Sequence, residues 1–239
     1  MPRRSLTVAR RRACALALGA LLAAPACTLG APDGAQISTQ GANGAPACVT
    51  CHGAKGEGNP SAGFPRLAGL GAKYLTKQLD AMADGGRVSP IMKATAQALD
   101  PAQRQAVAAY YASLPAPLDT DKLAATAMGR AAPADTGAWL ATRGAWDKNV
   151  PACNQCHGPG GIGVGDNFPA LAGQSAAYIS GQLRAWRQGQ RPPGPLGLMP
   201  AVATRLTDAE IDAVSAYYAG LPQAAEQLAA QAAAPGAKQ

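Results

Sequence analysis

The sequence is poor in histidine and in aromatic side chains, and it has no apolar run of the roughly 20 residues that a membrane-spanning helix needs. Only two of the 239 residues are histidine, and phenylalanine, tryptophan and tyrosine together make up 5%. Aromatic side chains are the bulkiest fillers of a protein core. Small domains that lack such a core often depend on a metal, a disulfide or another staple. We therefore expect a large apolar group to fill part of the interior.

The N-terminus has the pattern of an export signal, which we assign to residues 1–26. Five arginines and no acid precede an apolar run from Ala13 to Ala24, and the small-residue sequence Ala-Pro-Ala ends at Ala26. The alternative of a membrane anchor is weak because the run is too short to cross a bilayer. Cys27 follows directly, so it is a candidate for a lipid-bearing first mature residue; the alternative is an unmodified cysteine. Export predicts a periplasmic protein, either soluble or lipid-anchored.

Most of the positive charge lies in this signal. The whole chain has a net charge of +7, but the part after residue 26 has 16 basic and 14 acidic residues, a net of +2. A nucleic-acid-binding protein needs a clustered basic face. The mature chain is almost neutral, so nucleic acid is not an expected partner.

Almost everything after the signal is present twice. The octet PACVTCHG at residues 46–53 returns as PACNQCHG at residues 151–158. Four more pairs of segments match in the same order: GAQISTQG with GAWLATRG, FPRLAG with FPALAG, YLTKQL with YISGQL, and VAAYYASLP with VSAYYAGLP. This is a tandem duplication, so each half should hold a complete site.

The local patterns predict an all-α fold with long loops. Asp100 and Pro101 should begin one helix, as a capping side chain and a first-turn proline. Thr207 and Glu210 form a capping-box pattern in the second half. YLTKQL and YISGQL lie in segments whose apolar residues recur at helical spacing, and no stretch alternates like a strand.

Composition suggests the domain boundaries. Residues 27–115 form domain 1 and residues 137–222 form domain 2. The segment 116–136 between them is rich in alanine, aspartate and proline and is predicted to be a linker. Residues 223–239 are of low complexity and are predicted to be a flexible tail.

Both histidines, His52 and His157, directly follow a Cys-x-x-Cys pair. Cys-x-x-Cys-His is the attachment signal of c-type haem. Two thiols three residues apart can each add to a vinyl group of one porphyrin, and the adjacent histidine then lies beneath the iron. We therefore predict two covalently attached haems, which also supply the apolar bulk that the composition lacks. The cysteines concerned are Cys48, Cys51, Cys153 and Cys156.

Other uses of paired cysteines explain the pattern less well. A thioredoxin-like pair does not account for a histidine after both motifs. Zinc ribbons separate their pairs by about 15–20 residues, whereas these pairs lie in separate repeats. Disulfides are compatible with export, but each would have to close a very tight loop.

Methionine is the predicted sixth ligand of each iron, because the chain has no further histidine. Only Met92 and Met199 occupy corresponding positions in the repeat. Met82 aligns with Trp186 on a predicted helix and is better explained by core packing, and Met128 lies in the linker. Packing is also the alternative for the matched pair, since methionine commonly fills gaps in cores.

On these motifs each half resembles a class I cytochrome c, and the tandem resembles the dihaem cytochrome c4 family over most of residues 34–222. The resemblance implies two compact helical domains joined by a linker. It also implies His52 and His157 as proximal ligands and Met92 and Met199 as distal ligands, a combination that raises the reduction potential.

The resemblance extends to residues around the haem. Class I domains use a proline carbonyl to accept the second N–H of the proximal histidine, and Pro65 and Pro169 stand at suitable positions. The alternative is that these prolines only shape a turn. Arg87 and Arg191 are candidates to pair with haem propionates, because buried carboxylates need partners; the alternative is that both are exposed.

The two methionine segments break the repeat. GGRVSPIM in the first half becomes GQRPPGPLGLM in the second, with three additional residues before Met199. We therefore expect the two haems to differ in reduction potential.

The resemblance implies an electron carrier. With both axial positions filled, the chain should pass single electrons from a respiratory complex or a periplasmic dehydrogenase to a terminal oxidase or a similar acceptor. One alternative is a cytochrome subunit of a dehydrogenase such as flavocytochrome sulfide dehydrogenase. Another is an enzyme such as a dihaem peroxidase or a thiosulfate dehydrogenase, which would need a labile sixth site and acid–base groups. A gas sensor would need an open site too.

Overall fold

The computed structural model describes residues 31–126 and 135–233. The signal, Cys27 and Met128 lie outside the described residues. The first half contains α1 (Gly34–Gln40), α2 (Val49–His52), α3 (Ala72–Ala83), α4 (Pro90–Ala98) and α5 (Pro101–Ser113). Next comes α6 (Thr120–Thr126), and the second half contains α7 (Thr136–Thr142), α8 (Cys153–His157), α9 (Ala176–Arg187), α10 (Leu198–Ala203) and α11 (Asp208–Ala233). The all-α prediction is confirmed: within these ranges β pairing is limited to isolated bridges.

Both predicted helix starts are confirmed, and each forms a capping box. The Asp100 side chain accepts from the N–H of Gln103, and the Gln103 side chain accepts from the N–H of Asp100. At the start of α11, Glu210 N–H donates to Thr207 Oγ1 at 3.2 Å and Thr207 N–H donates to the Glu210 carboxylate at 2.8 Å. Each box satisfies backbone donors that a helix end leaves unpaired.

In each half a proline leaves one carbonyl of the last helix free to accept a hydrogen bond from the loop that follows the haem motif. Pro115 and Pro222 each stand four residues after a buried tyrosine, Tyr111 or Tyr218. Proline has no N–H to offer the carbonyl four residues earlier, so each tyrosine carbonyl can accept from elsewhere. Gly69 N–H donates to the Tyr111 carbonyl at 3.1 Å, and the corresponding bond in the second half is 2.9 Å.

The predicted linker, residues 116–136, is partly built into the second half. It contains α6, whose Leu123 is 1% exposed and belongs to the core of the second half. The Leu123 carbonyl lies so close to Gly160 that a Cβ there would come within 2.4 Å of the oxygen. The described part of the segment therefore packs as a structural element, because one apolar side chain and one glycine let it approach closely.

The segment after Pro222, predicted to be a flexible tail, is helical as far as Ala233. Alanine, glutamine, glutamate and leucine dominate it, and these are strong helix formers. Residues 234–239 lie outside the described ranges.

Each half has its own apolar core, and the two halves belong to one compact unit. No helix in the described ranges has both the length and the apolar character that a bilayer-spanning segment requires. The core of the first half includes Ile37, Leu75, Leu99, Val107 and Tyr111. The core of the second half includes Leu140, Ile179, Ile211, Val214 and Tyr218.

Candidate haem sites

The short helices α2 and α8 present the two Cys-x-x-Cys-His motifs. Residues three and four apart lie on one face of a helix, so Cys48 shares a face with both Cys51 and His52. The His52 N–H donates to the Cys48 carbonyl at 2.9 Å, which closes this single turn. The four cysteines of the motifs are free and half-buried, so none of their thiols is engaged in a disulfide.

Both histidines are oriented by a proline carbonyl. His52 Nδ1 lies 2.9 Å from the Pro65 carbonyl oxygen, and His157 Nδ1 lies 2.8 Å from that of Pro169. A carbonyl can only accept, so each Nδ1 must carry the proton. The lone pair then lies on Nε2, which is the atom left to bind a metal.

The two imidazoles are buried, and burial favours their neutral form. His52 is 6% exposed and His157 is 8% exposed. Burial lowers the pKa of both rings by removing water from the charged form, and the hydrogen bond to proline partly opposes this. The edges of Phe64 and Phe168 approach the rings, with centroids 6.1 and 6.2 Å apart. A neutral imidazole is the form that binds iron.

Met92 and Met199 each lie in the first turn of a short helix, α4 or α10, in the same half as the histidine they would complement. Both are half-buried. Neither helix was predicted from the sequence. Ser89 followed by Pro90 is a usable signal for α4, because the serine hydroxyl accepts from the Met92 N–H at 3.4 Å. The segment before α10 offers no capping side chain.

Arg87 and Arg191 are buried, with 8% and 7% exposure, so the alternative that both are exposed is wrong. Arg87 donates to the Tyr178 hydroxyl at 3.0 Å and to Gln182 Oε1 at 2.9 Å. Arg191 donates to Gln78 Oε1 at 2.6 Å. Each guanidinium therefore extends from its own half into the other.

Three buried guanidiniums, those of Arg66, Arg87 and Arg191, have no carboxylate partner within the described ranges. The Nε atoms of Arg66 and Arg191 are buried without any hydrogen bond. Burial lowers the pKa of Arg66 to about 10, so this side chain stays protonated at neutral pH. Buried cations need an anion, and the carboxylates of haem propionates would supply one. The residues present therefore fit two haems.

Several polar residues at the junction between the halves were not predicted from the sequence. The signal for Tyr178, Gln78 and Gln182 was available, because tyrosine and glutamine recur at the same places in YLTKQL and YISGQL. Arg66 and Gln174 had no such signal, since the repeat replaces them by alanine and leucine.

Known proteins match both halves of the chain. Residues 33–115 match the family model described as cytochrome c, and residues 137–217 match the one described as cytochrome c oxidase, cbb3-type, subunit III. The thiosulfate dehydrogenase electron acceptor of Thiomonas intermedia (strain K12) is 48% identical over 219 residues, which cover 89% of this chain and 92% of that protein.

Two solved structures are similar in fold and in sequence. The as-isolated thiosulfate dehydrogenase of Marichromatium purpuratum has a TM-score of 0.68 and 41% identity over 78% of this chain, and the match spans 39% of that longer chain. Reduced recombinant cytochrome c4 from Pseudomonas stutzeri has a TM-score of 0.61 and 34% identity, and the match covers 72% of this chain and 92% of that one.

The matches cover both haem motifs and agree with the helical architecture and the doubled site. They confirm the predicted resemblance, the two covalent c-type haems and the function in electron transport. The chain belongs to the dihaem class I cytochrome c family and is a dihaem electron carrier.

Proposed function

We propose that this carrier accepts electrons from a thiosulfate dehydrogenase in the periplasm and passes them to a terminal oxidase or a similar acceptor. The observation that carries the proposal is the similarity, over nearly its whole length, to a protein named thiosulfate dehydrogenase electron acceptor. The match to part of a solved thiosulfate dehydrogenase also supports it. This donor differs from flavocytochrome sulfide dehydrogenase, the alternative that the motifs alone suggested.

Each ligand of the two irons can be assigned to a named atom. His52 and His157 would hold iron through Nε2, because Nδ1 of each is engaged by a proline carbonyl. Met92 and Met199 would hold it through their thioethers. The haem would supply a one-electron ferrous–ferric couple. With two protein ligands on each iron, the chain would act as a carrier and not as an enzyme. The covalent bonds to haem are made by Cys48, Cys51, Cys153 and Cys156.

Arg87 and Arg191 neutralise propionate carboxylates in this proposal. Their observed partners are hydroxyl, amide and aromatic groups, none of which is a carboxylate. The two arginines share Gln78 Oε1 as an acceptor, at 3.0 and 2.6 Å. They therefore lie side by side at the junction of the halves, where they can hold carboxylates from either side.

The mature chain is proposed to begin after the signal at residues 1–26, with Cys27 as the candidate for lipid attachment. It contains two cytochrome domains, residues 27–115 and 137–222. The intervening segment contributes α6 to the second domain.

A visible spectrum of the purified mature protein tests the ligation. The oxidised and reduced forms would be recorded before and after addition of carbon monoxide. Two low-spin haems per chain that do not bind the gas are expected. A high-spin haem, or one that binds carbon monoxide readily, would mean that a coordination site is open and would overturn the pure carrier function.

Stopped-flow reduction tests the donor. Purified thiosulfate dehydrogenase with thiosulfate should reduce both haems within the turnover time of the enzyme. Thiosulfate alone is the control and should not reduce them. If the enzyme reduces an unrelated cytochrome c equally fast, the proposed partnership fails although the carrier function stands.

A further inference from the structure

Gln174, in the second half, holds the backbone N–H and the backbone carbonyl of Arg66 in the first half, which belong to two successive peptide groups. Arg66 N–H donates to Gln174 Oε1 at 3.1 Å, and Gln174 Nε2 donates to the Arg66 carbonyl at 3.1 Å. The backbone determines which end of the amide is oxygen, because an N–H only donates and a carbonyl only accepts. Ser175 N–H adds a bond to the same Oε1 at 3.2 Å. Gln174 is 4% exposed and Arg66 is 2% exposed, so water does not compete for these groups.

The first of these two peptide groups also orients the proposed haem ligand His52. Arg66 N–H and the Pro65 carbonyl belong to one peptide unit, and that carbonyl accepts from His52 Nδ1 at 2.9 Å. A continuous chain therefore runs from Gln174 Oε1 through the peptide to the imidazole. Hydrogen bonds in series polarise one another. When Gln174 Oε1 accepts the Arg66 backbone N–H, electron density in that peptide group shifts toward the Pro65 oxygen. The bond from His52 Nδ1–H to this oxygen becomes stronger, and the imidazole becomes a more basic ligand.

The second half lacks this arrangement. Ala170 corresponds to Arg66, and Leu70 corresponds to Gln174. Leucine has no polar atom with which to hold the peptide after Pro169. The two histidines are therefore matched in burial and in their proline bond but differ in what lies behind the proline.

We propose that Gln174 is a positioning residue for His52 and lowers the reduction potential of the haem bound in the other half. A more basic imidazole stabilises ferric iron relative to ferrous iron. The inference rests on the proposed ligation by His52 Nε2. It makes the second half part of the proximal environment of the first haem, so a change at this contact alters how the electron is shared between the two haems.

The test is Gln174→Leu, which installs the residue of the first half and leaves the Arg66 guanidinium on the Ala68 and Ala172 carbonyls. Spectroelectrochemical titration of the holoprotein measures both potentials. A second series carries Met199→His, which lowers the potential of the second haem and so identifies each wave. The equilibrium constant for reducing the His52 haem should rise on the order of threefold, or about 28 mV at 59 mV per decade. The His157 haem should not change.

The matched control is Lys73→Ala, which removes an exposed ion pair between the halves (Lys73 Nζ to Asp166 carboxylate, 3.4 Å) without touching the Pro65–Arg66 peptide. Both potentials should stay constant in it. An equal shift of both haems, a similar shift in the control, or no shift in Gln174→Leu would overturn the inference. If Gln174→Leu does not fold, Gln174→Met keeps the side-chain length without the amide and serves the same comparison.

Proton exchange provides a readout without a variant. In the unmutated protein, NMR should show slower exchange of the His52 Nδ1 proton than of the His157 Nδ1 proton, although the two rings are equally buried. Equal rates would contradict the inference. Absence of two low-spin haems in the unmutated protein would instead contradict the proposed ligation, so the two failures are distinguishable.

Discussion

The turn before each haem motif is attached to the last helix of its half by a contact that is neutral in one half and ionic in the other. In the first half Asn43 Nδ2 donates to Gln103 Oε1 at 2.8 Å. In the second half Lys148 Nζ donates to the Glu210 carboxylate at 2.6 Å. Gln103 and Glu210 both serve in the capping box of that helix. The duplication has therefore kept the place of the contact while changing its response to pH.

The buried tyrosine of the last helix shows a second difference. Tyr111 OH lies 2.7 Å from Ser38 Oγ on α1, whereas Tyr218 OH donates to Asn154 Oδ1 at 2.7 Å. Asn154 stands between the two cysteines of the second motif, where the first has Val49. The last helix of the second half is therefore anchored in the attachment motif itself.

The methionine segments differ most. In the first half a serine cap leads directly into α4. In the second half α10 follows an insertion in which Leu196 has a φ of 60° and is 91% exposed. A left-handed conformation is costly for a residue with a Cβ, so the second methionine is presented by a strained segment.

Removing each methionine should have the largest effect and should distinguish the haem of the first half from that of the second. Met92→Ala and Met199→Ala should each convert one haem of the two to a high-spin form that binds carbon monoxide and has a lower potential, because methionine ligation raises the potential. Counting bound carbon monoxide per chain checks this. Met82→Leu, a volume-conserving change in the core, is the control and should leave both haems low-spin. If Met199→Ala still excludes carbon monoxide, another side chain must be the ligand.

Replacing Asn154, the first of the two residues between the cysteines of the second motif, should have the next largest effect. Asn154→Val copies the first half and leaves the buried Tyr218 hydroxyl without its partner, which should lower the free energy of unfolding by about 1–3 kcal/mol. Denaturant unfolding measures it. Gln155→Thr, the neighbouring exchange at an exposed position, should be neutral. A larger loss in Gln155→Thr would contradict the role given to the Tyr218 contact.

Acid should weaken the Lys148–Glu210 contact but not the Asn43–Gln103 contact. The Lys148 side chain, and then the Thr207 N–H, hold the pKa of Glu210 below its usual value. A lowered folded pKa contributes stability above the unfolded pKa, and this is lost as the pH falls through the folded value. Glu210→Gln should therefore cost up to about 1 kcal/mol at neutral pH and less in acid, as urea unfolding at both pH values would show. Asn43→Gly, which keeps the positive φ of that residue, should have a cost that does not depend on pH.

The smallest effect is expected in the insertion. Leu196→Gly relieves a left-handed backbone but loosens the unfolded chain, so the free energy of unfolding should change by no more than about 0.5 kcal/mol. Thermal unfolding checks this against Leu198→Gly, where φ is −60° and glycine should cost about 1 kcal/mol. A greater loss at Leu196 than at Leu198 would mean that the strain is not relieved.

The features that sequence predicted are those that depend on neighbours along the chain. The helix starts at Asp100 and Thr207, the helices α3 and α9, and the two haem-attachment motifs all follow from residues within one or two helical turns. The burial of Arg87 and Arg191 depends on contact between the halves, which no local pattern encodes. The role of Gln174 could not be predicted, because the matching residue in the first half is Leu70. The repeat therefore offered no pair of polar residues to compare.

The exchange of Arg87 and Arg191 across the junction has the form of an isologous interface, in which one patch of surface meets its own copy. Two separate chains with such a patch would associate only at sufficient concentration. In a single chain the same contact is intramolecular, so its occupancy no longer depends on dilution. The tandem thereby keeps the geometry of a symmetric dimer, while the two halves can differ in haem reduction potential, in the cap before the methionine helix and in surface charge.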